Sequence, residues 1–426
     1  MARPESSHEP RGIAWILRTS VLAVLALTAG CDRESAPNRS GAAPSASASA
    51  AVAPAPSASS GPDSAVATPA GDAGQDGSEA ESERLVIVAG GDVNLGRGIG
   101  QQLLRGENVN PFEPLAAVFR SADLRFVNLE SQLSDQGGET QSKRNPLIFT
   151  GPPQGAALLA KAQIDVVSLA NNHMWDYGGK ALLETMAHLR EAGVAYVGAS
   201  EKKGQMYEPT VLRRRGWSVA LFAVTHIWNQ GPFQEHPGKH HVAWAEDLER
   251  MRVSIVRAKR EHDVVLVSYH GGSEYVDVPM AWTRAFAKVV MNAGADALLG
   301  HHPHVPHGVG WFGSRPAFYS LGNLVFHLHR DYPWTGTGFL ARLSFSRGED
   351  GANLKVEACP YRILGVTPIP FEGKGKEPLE QSFKRHLNLV SVAVGRTEIG
   401  EPGENSCMPL APPQKKSRRQ GAAPSG

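Results

Sequence analysis

From Leu85 onward the chain alternates short apolar runs with longer mixed segments, a rhythm that predicts strands separated by helices. The apolar runs predict strands at Leu85–Ala89, Leu124–Asn128, Asp165–Leu169, Val194–Val197, Val219–Val224, Val264–Ser268, Ala297–Leu299 and Ala317–Ser320. Several are apolar at consecutive positions, as strands buried on both faces require. Between them, helical spacing predicts Gly179–Glu191, with Leu182, Leu183, Met186 and Leu189 on one face. It also predicts helices over Ala245–Lys259 and Met280–Asn292, and Gly193 and Gly294 stand where two of the three would end. Phe339–Ser346 and Leu354–Leu364 read as successive strands with no helix between them, so the sheets are expected to be mixed. No internal repeat is present, and residues 84–400 read as one large α/β domain.

The rhythm stops on either side. Residues 32–83 are nearly all Ala, Pro, Ser, Gly and Asp, too poor in apolar surface to offset their conformational entropy, and are expected to form a disordered tether. Residues 401–426 read the same way, with a basic cluster, Lys415-Lys416-Ser417-Arg418-Arg419, best taken as solvated. Before the tether, Arg11 and Arg18 flank a run that becomes apolar and small from Val21 to Gly30. Its length of roughly ten residues suits a secretory signal better than a membrane span, which needs about 20. Leu27-Thr28-Ala29-Gly30-Cys31 resembles a bacterial lipobox, so residues 1–31 are expected to be a signal peptide ending at a lipidated Cys31. The chain would then be exported and anchored to a membrane of the cell envelope. An uncleaved anchor or an ordinary secretory signal are the alternatives.

Composition narrows the picture only a little. A chain of 426 residues, 41% hydrophobic and 20% charged, can bury a sizeable core, and its net charge of +1 gives no global attraction to nucleic acid. Of three cysteines, Cys359 and Cys407 remain if Cys31 is lipidated. They are expected to be unpaired, since Cys407 lies in the tail, and neither has the spacing of a zinc or redox motif.

The chemistry sits directly after the predicted strands. Gly90-Gly91-Asp92 follows the first, Leu129-Glu130 the second, and Ala170-Asn171-Asn172-His173 with Asp176 the third. Further on, Val264–Ser268 leads into Tyr269-His270-Gly271-Gly272 with Glu274, and Ala297–Leu299 into Gly300-His301-His302-Pro303-His304. Ligands of open α/β sheets bind beyond the carboxyl ends of strands, so five such clusters point to one site. Carboxylate, amide oxygen and imidazole suit a divalent metal (Mn, Fe, Zn or Mg), with imidazole favouring the transition metals. Two ions would need a bridging group such as Asn172 or Glu130 and a spacing of roughly 3.5–4 Å, suited to in-line attack at phosphorus. His173 could serve as general acid. Plainer readings exist: a Gly-Asp pair after a strand is commonly a turn or cap, and a single His there a core residue. Three imidazoles around Pro303 have little structural purpose, and there function is favoured.

These segments, in this order, resemble the bacterial capsule-synthesis (CapA) family, also named for poly-γ-glutamate synthesis. The resemblance runs from about Leu85 to Phe326 and rests on Gly91–Arg97, Val127–Ser131, Ala170–His173 with Asp176-Tyr177-Gly178, His270-Gly271-Gly272 with Glu274, Gly294-Ala295-Asp296, Gly300–His304 and Tyr319–Asn323. The family is similar to calcineurin-like metallophosphoesterases, which implies an α/β two-sheet sandwich flanked by helices and a site for one or two divalent ions. The resemblance makes Asp92, Asn172, His270, His302 and His304 metal ligands, Glu130 the nearest candidate for a bridging carboxylate, and His173 the catalytic residue. Asn94, Arg97, Asp176, Glu274, His301 and Asn323 would then contact substrate or support the ligands. Three departures stand out: Asn94 where the phosphoesterases usually carry His, no bridging Asp, and Gly271 where the capsule family is expected to hold Trp.

Three functions follow as expectations. The first is a membrane-anchored component of capsule or poly-γ-glutamate synthesis, partnered by an anionic polymer or its precursor and by capsule assembly proteins, with no nucleic acid. The second is an active metal-dependent hydrolase of phosphoester or polymer linkages. The third is a non-catalytic polymer-binding scaffold.

Overall fold

The computed structural model describes residues 84–327, 331–349 and 351–414. The signal, lipobox and tether expectations, with Cys31, lie outside these residues, as does the basic cluster at 415–419. Two sheets enclose the main core. The larger runs Glu398–Ile399, Met408–Ala411, Gly351–Leu364, Thr337–Gly348, Leu85–Val93, Leu124–Leu129, Val166–Ser168, Ala195–Val197, with Asn323–Val325 and Thr367–Pro370 alongside. The smaller runs Val309–Phe312, Arg315–Phe318, Ala297–His301, Val264–His270, Trp217–Thr225, Thr210–Arg214. The strands that carry polar motifs lie in the parallel part of each sheet, so their carboxyl ends point the same way.

Alternation along each strand sorts side chains between layers. In Val264–His270, Val264 and Leu266 join the core between the sheets, while Val265, Val267 and Tyr269 face a second core. That second core is completed by Met251, Ile255 and Ala258 of helix Leu248–Glu261 and by Phe286, Val290 and Met291 of helix Ala281–Ala293. Behind the larger sheet, helices Gln154–Lys161 and Gly178–Glu191 bury Leu159, Leu182, Met186 and Leu189. Each such side chain stabilises the fold by about 1.5–3 kcal/mol relative to exposure. The result is the expected two-sheet α/β sandwich with helices on its flanks.

Two boundaries differ from expectation for identifiable reasons. The helix expected from Ala245 starts at Leu248, because Trp244 bridges to Thr225 and the Ala245 N–H donates to the Thr225 carbonyl, holding the chain extended. The first strand runs past Ala89 through Gly90-Gly91 to Val93, with a bulge before Asp92. A Cβ on Gly91 would sit 1.8 Å from the Gly322 carbonyl oxygen, so only glycine permits this approach. The same approach lets the Asp92 N–H donate to Gly322 and delivers the carboxylate to the strand end.

The tail expectation is corrected over residues 401–411. Met408–Ala411 is a strand paired antiparallel to Gly351–Leu364, with Met408 and Leu410 buried. Cys359 and Cys407 form a disulfide across a separation of 48 residues, against the expectation of free thiols. Closing a loop of that size contributes about 4 kcal/mol in the chain-entropy description. Cys407→Ser is therefore expected to lower the urea midpoint of the oxidised protein markedly, and reductant should then have no further effect. An unchanged midpoint would show that the bridge contributes nothing.

Candidate metal centre

Asp92 lies fully buried where the two sheets meet. Its Oδ1 accepts from Asn128 Nδ2 at 2.9 Å, and its Oδ2 accepts from the His302 backbone N–H at 3.2 Å. His301 Nδ1 is 3.3 Å from Oδ1 and His304 Nδ1 is 3.4 Å from Oδ2. Burial alone would raise this carboxyl, but the His301 and His304 imidazoles hold it well below the usual carboxylate range. Glu130 is equally buried and behaves oppositely. Burial, then the charges of Asp92 and Glu274, push it well above its usual value. Its Oε1 has no hydrogen-bond partner and lies 3.6 Å from His304 Nε2.

The third and fourth strand ends face each other across this pair. Asn172 Oδ1 lies 2.7 Å from His270 Nε2, and its amide donates to Asn229. His270 packs 4.9 Å from the His302 ring. Burial, then the neighbouring His302, drives His270 well below its ordinary value, and burial takes His302 to about 3. Both are thus held neutral, the form in which imidazole ligates metal. His304 goes the other way: against burial, its contact with Asp92 raises it. His302 and His304 both adopt left-handed backbone, φ 95° and 59°, around Pro303. Such conformations cost on the order of 1–3 kcal/mol each and cluster at functional sites.

His173 stands at the edge of the cluster. Its Nδ1 donates to Asp176 Oδ2 at 2.8 Å, leaving Nε2 facing Glu130 Oε1 at 3.9 Å. Asp176 is itself fixed by the Phe149 N–H and by Gln230, and the Phe149 ring stacks on His173 at 4.2 Å.

The donor set fits a divalent ion. Three overlapping groups, Glu130/His270/His302, Asp92/Glu130/His304 and Glu274/His302/His304, each offer ligand atoms within 4.8 Å of one another. Glu130 Oε1 and His302 Nδ1 are buried polar atoms with no hydrogen-bond partner, a costly state that a bound cation would relieve. His301 is enclosed too, with neither ring nitrogen in a hydrogen bond.

The model of the bacterial capsule synthesis protein family PGA_cap matches residues 86–328, more than half the chain and every strand end just described. The chain belongs to that family. It is 29% identical over 296 residues to the capsule biosynthesis protein CapA of Bacillus anthracis, covering 68% of this chain and 70% of that one. To the PGA biosynthesis protein CapA of Bacillus subtilis (strain 168) it is 28% identical over 319 residues, covering 73% and 80%. Among solved structures, the calcineurin-like phosphoesterase YfkN from Bacillus subtilis aligns with a TM-score of 0.44 at 16% identity, covering 72% of this chain and 98% of that one.

In this PGA_cap member most residues singled out from the sequence come together; Asn94 and Arg97 stand outside the buried cluster, and Glu274 meets His302 and His304 only from its exposed side. Asn94 turns its Oδ1 back to the Gly96 N–H at 2.8 Å, Arg97 lies over Phe149, and Glu274 is exposed at the rim. Asn323 supports His304, accepting from its Nδ1 at 2.9 Å and donating to its carbonyl. Gly271 has no room for the expected Trp, since the Tyr269 hydroxyl would lie 2.7 Å from a Cβ there. The residue missed from sequence is Asn128. Its Nδ2 reaches Asp92 Oδ1, Glu130 Oε2 (3.2 Å) and His270 Nδ1 (3.2 Å), while its Oδ1 accepts from Asn171. The available signal was an Asn following the apolar pair Phe126-Val127 in the strand Leu124–Leu129, two residues before Glu130.

His307, just beyond the cluster, gives a pH prediction. It is buried with Nε2 donating to the Val276 carbonyl, and burial lowers it to about 4 from an ordinary 6.5. Its contribution to stability is complete above pH 6.5 and is lost as pH falls toward 4. At about 1.4 kcal/mol per pKa unit this amounts to roughly 3 kcal/mol. In chelator, His307→Gln should flatten the decline of stability between pH 6.5 and 4 measured by urea unfolding; an unaltered slope would place the acid sensitivity elsewhere.

Proposed function

We propose that this chain acts in the synthesis of a capsular or poly-γ-glutamate polymer, as an exported protein anchored through Cys31, with a metal centre that engages the anionic polymer or its precursor. Membership of the capsule-synthesis family and the names of the Bacillus relatives support the pathway. The apolar run ending in the lipobox-like Cys31 supports the anchor. No helix among the described residues is long and apolar enough to cross a membrane. The observation that carries the metal centre is the buried meeting of Asp92, Glu130, His270, His302 and His304, with Glu130 Oε1 unpartnered.

A more specific reading, hydrolysis of a phosphoester or polymer linkage, is favoured by the arrangement of His173. When bound, a divalent ion would supply Lewis-acid polarisation and neutralise developing negative charge. The chain's own part is then clear. Asp176 accepts from His173 Nδ1, orienting the ring and facing the positive charge it carries whenever Nε2 also holds a proton for a departing oxygen, and Phe149 covers the ring. Asn128 and Asn323 hold Asp92 and His304 in place.

Metal analysis of the purified full chain tests the proposal, together with hydrolysis of oligo-γ-glutamate and of an aryl phosphate before and after chelation. Stoichiometric divalent metal and activity lost on chelation are expected. A protein that retains no metal after dialysis would overturn the metal centre, and metal without hydrolysis would leave a polymer-binding component.

A further inference from the structure

We propose that Asn94, Arg97 and the start of the helix Arg97–Leu104 form an anion-binding subsite for a carboxylate of the substrate, beside the group engaged at the metal centre. This rests on the reading of that centre given above. The first turn of the helix contains no acidic residue and no side-chain cap. The Arg97 N–H donates to the Thr140 carbonyl and that of Gly100 to Gly96, while those of Gly98 and Ile99 find no acceptor among the described residues. Free donors at the positive end of a helix attract an anion.

An independent observation points to the same ligand. Asn94 is only 4% exposed, and its Oδ1 is occupied by Gly96, yet its Nδ2 has no partner. A buried amide donor left without an acceptor is unfavourable unless a ligand supplies one. Asn94, Gly96, Arg97, Gly98 and Ile99 line one cavity of about 330 Å³. Arg97 adopts a left-handed backbone, φ 52°, which sets its guanidinium 4.5 Å over the Phe149 ring. One guanidinium nitrogen donates to the Pro146 carbonyl, while Nε is buried with no partner. Glu130 and Asp176 act on this cation through space.

The subsite is continuous with the centre. A second cavity of about 460 Å³ shares Arg97 and Gly98 in its wall and reaches His173, Glu274 and His304. Phe149 joins the two regions, with Arg97 over its ring and His173 stacked against it. A polymer laid along this path would place one group near His173 and a flanking carboxylate at the helix start. Polyanion recognition is thereby assigned to neutral donors and Arg97, while Arg105 in the same cavity wall is paired with Glu107 at 2.7 Å, in keeping with a chain of little net charge.

Equilibrium binding of oligo-γ-glutamate and of a neutral counterpart, with its α-carboxylates converted to carboxamides, to the full chain tests the subsite, with metal content measured on the same samples. Asn94→Asp keeps the acceptor for Gly96 while exchanging the free donor for a carboxylate. Arg97→Gln removes the cation, and Gln102→Glu adds charge at the cavity lip without touching the buried cluster. Each should weaken oligo-γ-glutamate binding on the order of ten-fold with metal content unchanged, while the neutral oligomer binds weakly throughout. Wild-type binding by all three variants, or equal binding of the neutral oligomer, would overturn the subsite. Asn94-dependent competition by inorganic phosphate below millimolar concentration would do so as well, by reassigning the anion. Wild-type protein without metal, but with variant-sensitive binding, would sink the centre and keep the subsite.

Discussion

Asp92→Ala is expected to empty the metal centre and to destabilise the fold in the same step. The carboxylate is wholly buried, receives the Asn128 amide and the His302 N–H, and faces His301 and His304. Its loss leaves the His302 N–H without an acceptor, the Asn128 amide with only Glu130 and His270, and His304 without its counter-charge. Removing one partner of a buried ion pair costs about 3–5 kcal/mol. Loss of a direct ligand should weaken metal binding by on the order of 100-fold or more, beyond what supporting residues alone cost. Elemental analysis after dialysis and urea unfolding read the two effects separately. A variant with wild-type metal content would remove Asp92 from the centre, whatever its stability.

His173→Ala should separate chemistry from metal. Its Nε2 looks toward Glu130, and its Nδ1 is committed to Asp176, an arrangement for holding a proton. Hydrolysis should fall by about 10²–10⁴-fold with metal content retained. Asp176→Asn should give a smaller fall, because the imidazole remains but loses its fixed tautomer. If metal leaves together with activity, His173 is a ligand and the proton must come from elsewhere.

Much of the framework was legible in the sequence because buried parallel strands announce themselves as short apolar runs. Val264–Ser268 and Ala297–Leu299 could be read in this way, and the polar residues after them had only one plausible direction to face. Gly294 marked a helix end correctly, with φ 118°. What the pattern hid was geometry inside a polar strand end. Asn128 read as the last residue of a strand, and nothing local distinguishes an amide that touches four neighbours from one that touches none. The left-handed backbones of Arg97, His302 and His304 were equally invisible, since no glycine stands at these positions to signal them. The tail misled for a compositional reason. Pro402, Gly403 and Pro409 suggested disorder, while the two-residue alternation of Met408 and Leu410 carried the strand signal.

That last strand matters for how the protein can be handled. A shortened chain ending at residue 400, where the apolar rhythm fades, would strip the Met408–Ala411 partner from Gly351–Leu364 and release Cys359 as a free thiol. It would therefore expose a bare sheet edge and a reactive sulfur together, a combination prone to strand-to-strand association and intermolecular cross-linking in an oxidising milieu. Soluble versions for crystallisation or assay should keep the chain through Gln414.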